Sequence, residues 1–391
     1  MPSLPPLAER VSRLHSSAIR DLLTVTARDD VISLAGGLPD PALLDRTRIA
    51  DAALRALGDA STAQYTETTG WAGLRAVLTE RESVRLGRSV EVVVTHGSQQ
   101  ALSLLASVLL DPGACVVVED PAYTGALQVF RGVEAEVRAV PLDADGMRVD
   151  LLEELLRDGV RPAVVHTVSN FHNPGGVTLA ADRRAALAGL AERYGFWVIE
   201  DDPYGEIWFD AAPPAAVATH SDRVIRLSSA SKILAPTLRT GWLVAPPEVC
   251  RAVELLKQGA DLCGSTLTQR ITAELLSDAS WFDAHLAGLR TTYGERAQAL
   301  GAALDATFGD TVRRTDVRGG MFCWVDFLDG TSADDLLHAA LADGVAFVPG
   351  SAFAVGDGYR SSLRLCFTTS PPPVLDDAVA RLGRTHSGHR V

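Results

Sequence analysis

The chain has 391 residues, of which 47% are hydrophobic and 22% are charged, so it is long enough for two lobes with an ample core. Its formal net charge of −13 argues against nucleic acid or an anionic membrane as the main partner. No apolar run reaches the roughly 20 residues that a membrane span needs, and no signal peptide is visible. The five cysteines lack CxxC or metal-ligand spacing, which favours reduced thiols in a cytoplasmic protein and no metal site.

The N-terminal part of the chain predicts two helices separated by a strand and a polar loop. Apolar spacing predicts a helix over residues 8–30, and a short strand over 31–38 opens into a glycine bend at Gly37. A turn-rich segment that contains Tyr65 precedes a helix predicted over 71–85. The simple interpretation of Tyr65 is a loop aromatic that packs on its own domain.

A glycine-containing turn connects a strand predicted at 91–95 to a helix predicted at 101–110. Free backbone N–H groups at the start of a helix bind phosphate. Gly97 lets the backbone approach a ligand closely, and Ser98 adds a hydroxyl donor. The turn is therefore a candidate phosphate site, although in most proteins such a turn only caps the helix.

Apolar strands typical of a buried parallel sheet follow, and each ends in residues that could contact a ligand. The predicted strands are 115–119, 164–168 and 196–199. Tyr123 follows the first, Asn173 the second, and Asp201, Asp202 and Tyr204 the third. Because α/β sheets bind ligands at the carboxyl ends of their strands, these residues are candidates for one site. The alternatives are a core tyrosine at 123 and solvated loop acids at 201 and 202.

A lone lysine lies in the stretch from Arg226 to Val244, between a predicted strand at 224–227 and a second strand that begins at Trp242. Apolar neighbours would partly desolvate Lys232, which lowers the pKa of an ammonium group and frees the amine to attack a carbonyl. Ser229, Ser231 and Arg239 supply the hydroxyls and the fixed charge that a phosphate dianion requires. An imine-forming lysine beside a phosphate cradle is what pyridoxal phosphate needs.

One arginine stands in the middle of an apolar strand near the C-terminus. An unpaired guanidinium at Arg364 would be costly in a core, so a carboxylate partner is expected. A bidentate fork suits the α-carboxylate of a substrate. An Asp or Glu of the protein is the alternative partner.

The motif Ser229-Ala230-Ser231-Lys232, followed seven positions after the lysine by Arg239 in Leu-Arg-Thr-Gly-Trp, resembles the fold-type I aminotransferases of class I/II. Within that class the chain is most similar to the 2-aminoadipate and kynurenine aminotransferase branch, over nearly its whole length. The resemblance implies an α/β fold with a large domain at residues 46–280, whose mostly parallel seven-stranded sheet lies between helices. Residues 1–45 and 281–391 would form a smaller α+β domain.

The resemblance also implies the roles of the site residues. Pyridoxal 5′-phosphate would be bound as an aldimine of Lys232, which also acts as the general base, while Asp201 keeps the ring nitrogen protonated. Tyr123 would stack on the ring, Tyr204 would contact its phenolic oxygen, and these two with Lys232 and Asp201 form the catalytic set. The implied cofactor ligands are Tyr65, Ser98, Gln99, Tyr123, Asn173, Asp201, Tyr204, Ser229, Ser231, Lys232 and Arg239. Arg364, Asn173 and Gly37 would face the substrate.

The implied reaction moves an amino group between an L-amino acid and a 2-oxo acid through pyridoxamine phosphate. Tyr65 would reach the phosphate of a neighbouring subunit, which makes the active site a shared property of a homodimer. The side chain of the substrate is not predicted: an aromatic, a 2-aminoadipate-like or a basic amino acid would all fit.

Three positions depart from the usual pattern of the family. His172 stands where Gln is frequent, Gly175 where Thr is usual and Ala230 where Phe is frequent. They leave open a lyase, a decarboxylating deaminase or a cyclase on the same scaffold. A remote alternative is the effector domain of a transcriptional regulator, although only about thirty residues precede the fold, too few for a DNA-binding domain. His172 is interpreted either as a solvent-facing loop residue or as a catalytic group.

Overall fold

The computed structural model describes residues 30–389, so the helix predicted over residues 8–30 lies outside the described residues except at its last position. The α-helices are α1 (Arg46–Leu57), α2 (Ala72–Leu86), α3 (Gly97–Leu109), α4 (Thr124–Gly132), α5 (Val149–Arg157), α6 (Ala181–Tyr194), α7 (Pro247–Ala260), α8 (Thr266–Ser277), α9 (Ala279–Phe308), α10 (Ala333–Ala342) and α11 (Pro372–His389). The strands are β1 (Ile32–Ser33), β2 (Val92–Thr95), β3 (Cys115–Asp120), β4 (Glu136–Asp143), β5 (Gly146–Met147), β6 (Val164–Thr167), β7 (Trp197–Asp201), β8 (Val224–Ser229), β9 (Gly241–Val244), β10 (Val312–Arg314), β11 (Phe322–Phe327), β12 (Val345–Ala346), β13 (Val348–Pro349) and β14 (Ser362–Cys366).

The large sheet has eight strands in the order β2-β9-β8-β7-β6-β3-β4-β5, rather than the seven that were predicted. The additional strand is β5, two residues long, which turns back antiparallel on β4 across a short hairpin. The pairs within β8-β7-β6-β3-β4 are all parallel, whereas β9 runs antiparallel to both of its neighbours. The prediction of a mostly parallel sheet in an α/β fold is confirmed.

Alternating side chains of the large sheet are buried on its two faces, as the period of a strand requires. In β2, Val93 packs in one cluster with Leu102 of α3 and Val253 of α7. Val94 packs in the opposite cluster with Leu74 of α2. Burial of each such side chain contributes roughly 1.5–3 kcal/mol. Helices therefore cover both faces, and the ligand-binding edge is left to the loops at the strand ends.

A second sheet, β10-β11-β14-β13, is antiparallel and brings Arg364 opposite Trp324. The strand predicted over 31–38 is only two residues long in the structure, and it pairs in parallel with β12. The chain leaves this pairing before Gly37, which turns toward the edge of the large sheet. Domain boundaries at residues 45 and 280 stay a prediction. Among residues 30–389, no helix combines the length and the apolarity that a membrane crossing requires.

Candidate active site

A cavity of about 490 Å³ lies where the carboxyl ends of β3, β6, β7 and β8 meet the start of α3 and strand β14. It gathers every predicted site residue except Tyr65. The predicted residues that line it are Gly37, Ser98, Gln99, Tyr123, Asn173, Asp201, Tyr204, Ser229, Ser231, Lys232, Arg239 and Arg364. Segments that are more than 300 residues apart in sequence therefore converge on one site.

One end of the cavity has the geometry of an anion cradle. Gly97, the first residue of α3, has φ of +72°, and a Cβ atom at this position would lie 2.6 Å from the guanidinium of Arg239. Arg239 donates to the carbonyl oxygen of His96 over 3.2 Å and to Ser231 Oγ over 3.4 Å. Ser229 Oγ donates to Ser231 Oγ over 2.9 Å. Free N–H groups, hydroxyls and a guanidinium together match a phosphate group.

Lys232 points into the middle of the cavity. Its Nζ donates to the carbonyl oxygen of Gly37 over 2.7 Å, a contact that joins the N-terminal segment to the loop after β8. Burial is the main cause that lowers the pKa of Lys232 to about 8, and the nearby charges of Arg364 and Arg239 act in the same direction. The lowered pKa increases the fraction of uncharged amine near neutral pH, which is the form that can act as a nucleophile.

The two adjacent aspartates have different environments, although both are buried, so the interpretation as solvated loop charges is wrong. Asp201 lines the cavity, and its Oδ1 atom has no hydrogen-bond partner among residues 30–389. Asp202 accepts from Arg226 over 2.7 Å and from the N–H of Gly205 over 2.8 Å. Burial alone would raise the pKa of Asp202, but the charges of Arg226 and Arg85 together with the hydrogen bonds from Asn170 and Gly205 outweigh burial and lower it. The carboxylate available to a ligand is that of Asp201.

Arg364 is buried, and the hydrogen bonds of its guanidinium within the described chain go to an amide and a main-chain carbonyl rather than to a carboxylate. Its terminal nitrogens donate to Asn173 Oδ1 over 2.7 Å and to the carbonyl oxygen of Ala35 over 2.6 Å, while its Nε atom finds no partner in the part of the chain that the structure describes. The guanidinium lies 4.3 Å from the ring centre of Phe322. Burial lowers the pKa of Arg364 to about 10. An incoming carboxylate would compensate this desolvated cation.

Two tyrosines line the wall of the cavity. The Tyr123 hydroxyl donates to Gln99 Oε1 over 3.0 Å, and Gln99 in turn donates to the carbonyl oxygen of Gly125 over 3.2 Å. Burial, followed by the charge of Asp201, raises the pKa of Tyr123 to about 12. Burial also raises the pKa of Tyr204 far above its ordinary value. Both phenols are protonated hydrogen-bond donors throughout the physiological range.

Comparison with known proteins agrees with this geometry. Residues 29–382 match the family model described as aminotransferase class I and II. The chain belongs to this family. It is 39% identical over 389 residues to aromatic-amino-acid aminotransferase 1 of Thermococcus litoralis, a match that covers 97% of this chain and 93% of that protein. It is 40% identical over 384 residues to the 2-aminoadipate transaminase of Thermus thermophilus, covering 96% and 95%.

A solved structure of α-aminoadipate aminotransferase from Thermus thermophilus, complexed with N-(5′-phosphopyridoxyl)-L-leucine, superimposes with a TM-score of 0.91. The two chains are 38% identical, and the match covers 98% of this chain and 97% of that one. The present chain is accordingly an aminotransferase that uses pyridoxal phosphate. Its residues fit the cofactor, because the anion cradle, Lys232 and the Asp201 carboxylate, whose Oδ1 atom has no hydrogen-bond partner among the described residues, line one cavity.

Tyr65 is the one predicted ligand that the structure places away from the cavity of the aminotransferase. Its side chain is 80% exposed, so the interpretation of a loop aromatic packed on its own domain is wrong. The loop itself is anchored, since Thr266 donates to the carbonyl oxygen of Gln64 over 2.9 Å. Contact with a second subunit stays a prediction.

Several wall residues of the aminotransferase were not predicted from the sequence. They are Leu38, Thr124, Gly125, Gln128, Val168, Pro203, Pro236 and Phe322. Phe322 is the most consequential, because it contacts Arg364 and lies edge-to-face with Tyr204 at a centroid distance of 5.9 Å. Two features of the sequence could have indicated Phe322. It follows a glycine bend at the start of β11, and it lies two positions before Trp324, which pairs with Arg364 on the neighbouring strand, so the period of a strand puts Phe322 on the same face of the sheet.

His172 does not face solvent, so that interpretation is wrong. The side chain is 1% exposed and lies behind the cavity wall rather than in it. The ring lies 3.1 Å from Glu119 and accepts the N–H of Gly175. The histidine therefore belongs to the support of the active site.

Proposed function

We propose that this aminotransferase binds the α-carboxylate of an L-amino acid at Arg364 and uses the amine of Lys232 to remove the Cα proton. The observation that carries this proposal is a desolvated guanidinium with an unpaired Nε, in the same cavity as a lysine whose pKa is lowered to about 8. A carboxylate on Arg364 would hold the rest of a small substrate near Lys232. Bound pyridoxal phosphate supplies the electron sink for the charge that develops at Cα.

The cofactor would be held by the residues of the cavity in three groups. The start of α3 with Ser98, Ser229, Ser231 and Arg239 would bind its phosphate. Asp201 would accept from the protonated ring nitrogen, and its unpartnered Oδ1 atom supports this role. Asn173 and Tyr204 would donate to the phenolic oxygen, Tyr123 would cover one face of the ring, and Gly37 would border the substrate.

Lys232 is suited to two successive roles as an amine. Its lowered pKa keeps a useful fraction uncharged near neutral pH, so Lys232 would be the residue that holds the carbonyl carbon of the cofactor covalently, with loss of water. When this amine is free again, its pKa lies close to the working pH, so it would be suited to remove the Cα proton as a general base. Tyr123 and Tyr204 remain protonated and would hold neighbouring oxygens in place by donating hydrogen bonds.

The names of the similar proteins suggest the first amino donors to test. They are an aromatic-amino-acid aminotransferase and a 2-aminoadipate transaminase. We propose aromatic amino acids and 2-aminoadipate as the first donor candidates, with basic amino acids as the next group. Phe322 and Leu38 supply apolar surface in the cavity that suits an aromatic or aliphatic side chain.

We also propose that the enzyme is a homodimer in which Tyr65 completes the phosphate site of the neighbouring subunit. The support for this is a tyrosine that is 80% exposed on a loop anchored to the rest of the chain. The five cysteines are free thiols, which supports our proposal of a cytoplasmic enzyme.

A single-turnover experiment tests the proposed function. The cofactor-loaded enzyme is mixed with a panel of L-amino acids without an oxo-acid acceptor, and spectra and products are recorded. Transamination predicts conversion of the cofactor to its amino form with release of the matching 2-oxo acid. Release of ammonia, a thiol or carbon dioxide, with return of the original spectrum, would instead establish a lyase-type reaction and refute the proposal.

A further inference from the structure

The turn that carries Asn173 is supported from behind by a buried imidazole. The backbone N–H of Gly175 donates to His172 Nδ1 over 3.0 Å. The main chain of the same turn is closed by a bond from the N–H of Gly176 to the carbonyl oxygen of His172 over 2.6 Å. Because Nδ1 accepts, the neutral ring carries its proton on Nε2.

The proton on Nε2 faces a buried carboxylate. Nε2 lies 3.1 Å from Glu119 Oε2, so the proton on Nε2 lies close to this carboxylate. Glu119 also accepts from the Thr167 hydroxyl over 2.6 Å and from the N–H of Val168 over 2.9 Å. Burial alone would raise the pKa of Glu119, but His172 and these donors lower it, so the carboxylate is ionised. Glu119 thus ties the end of β3, which leads to Tyr123, to the end of β6 and the turn beyond it.

Gly175 leaves the space that the imidazole occupies. A Cβ atom at position 175 would lie 3.2 Å from His172 Nδ1 and 3.5 Å from Leu142 Cδ1. The backbone of Gly175 is not left-handed, so the close approach of the imidazole, rather than φ, is what disfavours a side chain there. His172 has little room to retreat, because it is 1% exposed and held against Glu119. The side chain that is tolerated at position 175 therefore depends on the residue at 172, and the reverse.

The orientation of the Asn173 amide depends on this turn. Arg364 can only donate hydrogen bonds, so the Asn173 atom that accepts from it over 2.7 Å is the oxygen. The amide NH₂ is then the group left to donate elsewhere. A displaced turn would move both the Arg364 contact and this donor.

We propose that His172, together with Glu119, is a positioning residue for Asn173, and that Gly175 is required because the imidazole fills the place of a side chain at 175. The inference rests on the proposed function in one respect: Asn173 donates to the phenolic oxygen of the bound cofactor. It predicts that substitutions at 172 and 175 are coupled. A side chain at 175 should be tolerated better when the rigid imidazole is replaced by a flexible side chain that can turn away from it.

The test is a double-mutant cycle of Gly175→Thr, His172→Gln and the double variant. Cofactor affinity is measured by titration of the apoprotein, and the pH at which the absorbance of the bound cofactor changes is recorded. Gly175→Thr alone should weaken binding by about tenfold and raise that pH, because a donor to the phenolic oxygen is misplaced. The double variant should recover most of both losses, since the flexible amide side chain introduced by His172→Gln can turn away from position 175, which the rigid ring cannot do.

Gly189→Thr is the matched control, because Gly189 is exposed and a Cβ atom there meets nothing within 4 Å. It should leave both readouts unchanged. If Gly175→Thr does not fold, Gly175→Ala replaces it in the cycle. Two results would overturn the inference. One is a double variant whose change in cofactor affinity is the product of the two single changes, and the other is a cofactor affinity that stays unchanged in the variants at 175.

Both readouts are taken without an amino acid, which separates this inference from the proposed function. A wild-type enzyme that fails to transaminate, with the coupling intact, would refute the proposed reaction and leave the positioning role. A transaminating wild type whose variants show no coupling would refute the positioning role alone.

Discussion

At the residue scale, identical side chains acquire different chemistry from their neighbours. Asp201 and Asp202 are adjacent, but they point to opposite sides at the end of β7. Asp202 is neutralised by Arg226, whereas Asp201 keeps an unpartnered oxygen in the cavity. A buried ion pair is costly to break, because the remaining charge is left uncompensated. Of the two aspartates, Asp202 therefore has a structural role, and Asp201 is the one that is available to a ligand.

Replacement of the two aspartates should produce opposite effects. Asp202→Asn should lower the free energy of unfolding by about 3 kcal/mol, because Arg226 loses its closest carboxylate. Asp201→Asn should leave stability unchanged or raise it, yet reduce kcat by about 10²–10³-fold through loss of the charge beside the cofactor ring. Denaturant unfolding of the apoproteins and steady-state kinetics measure both. A stable but inactive Asp202→Asn variant would contradict the assignment of Asp201.

The lowered pKa of Lys232 predicts a pH profile for capture of the cofactor. The uncharged amine attacks an aldehyde, so the rate at which apoprotein bonds pyridoxal phosphate should rise through pH of about 8 rather than near 10.5. Stopped-flow absorbance at a series of pH values gives the midpoint. Lys232→Ala should show no such capture at any pH. A midpoint near the ordinary value would mean that the lysine is not desolvated.

At the element scale, the start of α3 makes the phosphate end of the site. The helix begins directly after β2, and Gly97 adopts a left-handed conformation so that the chain can turn beside Arg239. The cradle therefore depends on a close approach between a helix start and the loop before β9. Free N–H groups alone would bind an anion weakly, and Arg239 adds the fixed charge.

Gly97→Ala should weaken cofactor binding for a steric reason. The added methyl group would lie 2.6 Å from the guanidinium of Arg239 and displace it, so the dissociation constant of the cofactor should rise about tenfold or more. Gly87→Ala is the matched control, because Gly87 has a similar φ of +66° with nothing within 4 Å of a Cβ atom. It should cost some stability but no affinity. Equal losses of affinity in the two variants would point to backbone strain instead.

At the scale of the whole molecule, the described chain has an exposed tyrosine where the sequence predicts a cofactor ligand. Tyr65 is outside the cavity of its own chain, while the other predicted ligands line it. Our proposal that each subunit contributes its Tyr65 to the site of the other subunit explains why this predicted ligand is exposed and lies outside the cavity of its own chain. Each site would then depend on assembly, and its affinity for the cofactor would depend on protein concentration.

Mixed dimers test the proposed exchange of Tyr65. A Lys232→Ala protomer retains Tyr65, and a Tyr65→Ala protomer retains Lys232, so the heterodimer should contain one complete site. Mixing the two variants under conditions of subunit exchange should restore activity toward half of the wild-type value per heterodimer. Each variant alone should stay low. If Tyr65 acts within its own subunit, mixing will restore nothing.

The sequence by itself determined the cofactor and most of the residues around it. Asn173 and Lys232 each follow a buried strand and Asp201 ends one, and parallel strands bring their carboxyl ends to one edge without further information. The motif around Lys232 and Arg239 then specified the aminotransferase family, which the comparisons confirm. Local patterns were sufficient here because each of these residues is placed by its own strand.

Tertiary structure alone decided how distant segments complete the site. The Lys232 contact with Gly37 and the Arg364 contact with Asn173 join residues that are 195 and 191 positions apart. The burial of His172 against Glu119, and its dependence on Gly175, are likewise contacts between loops. Propensity and periodicity report only on nearby residues, so such packing cannot be read from the sequence. The short β5 hairpin escaped prediction for the related reason that two residues carry no period.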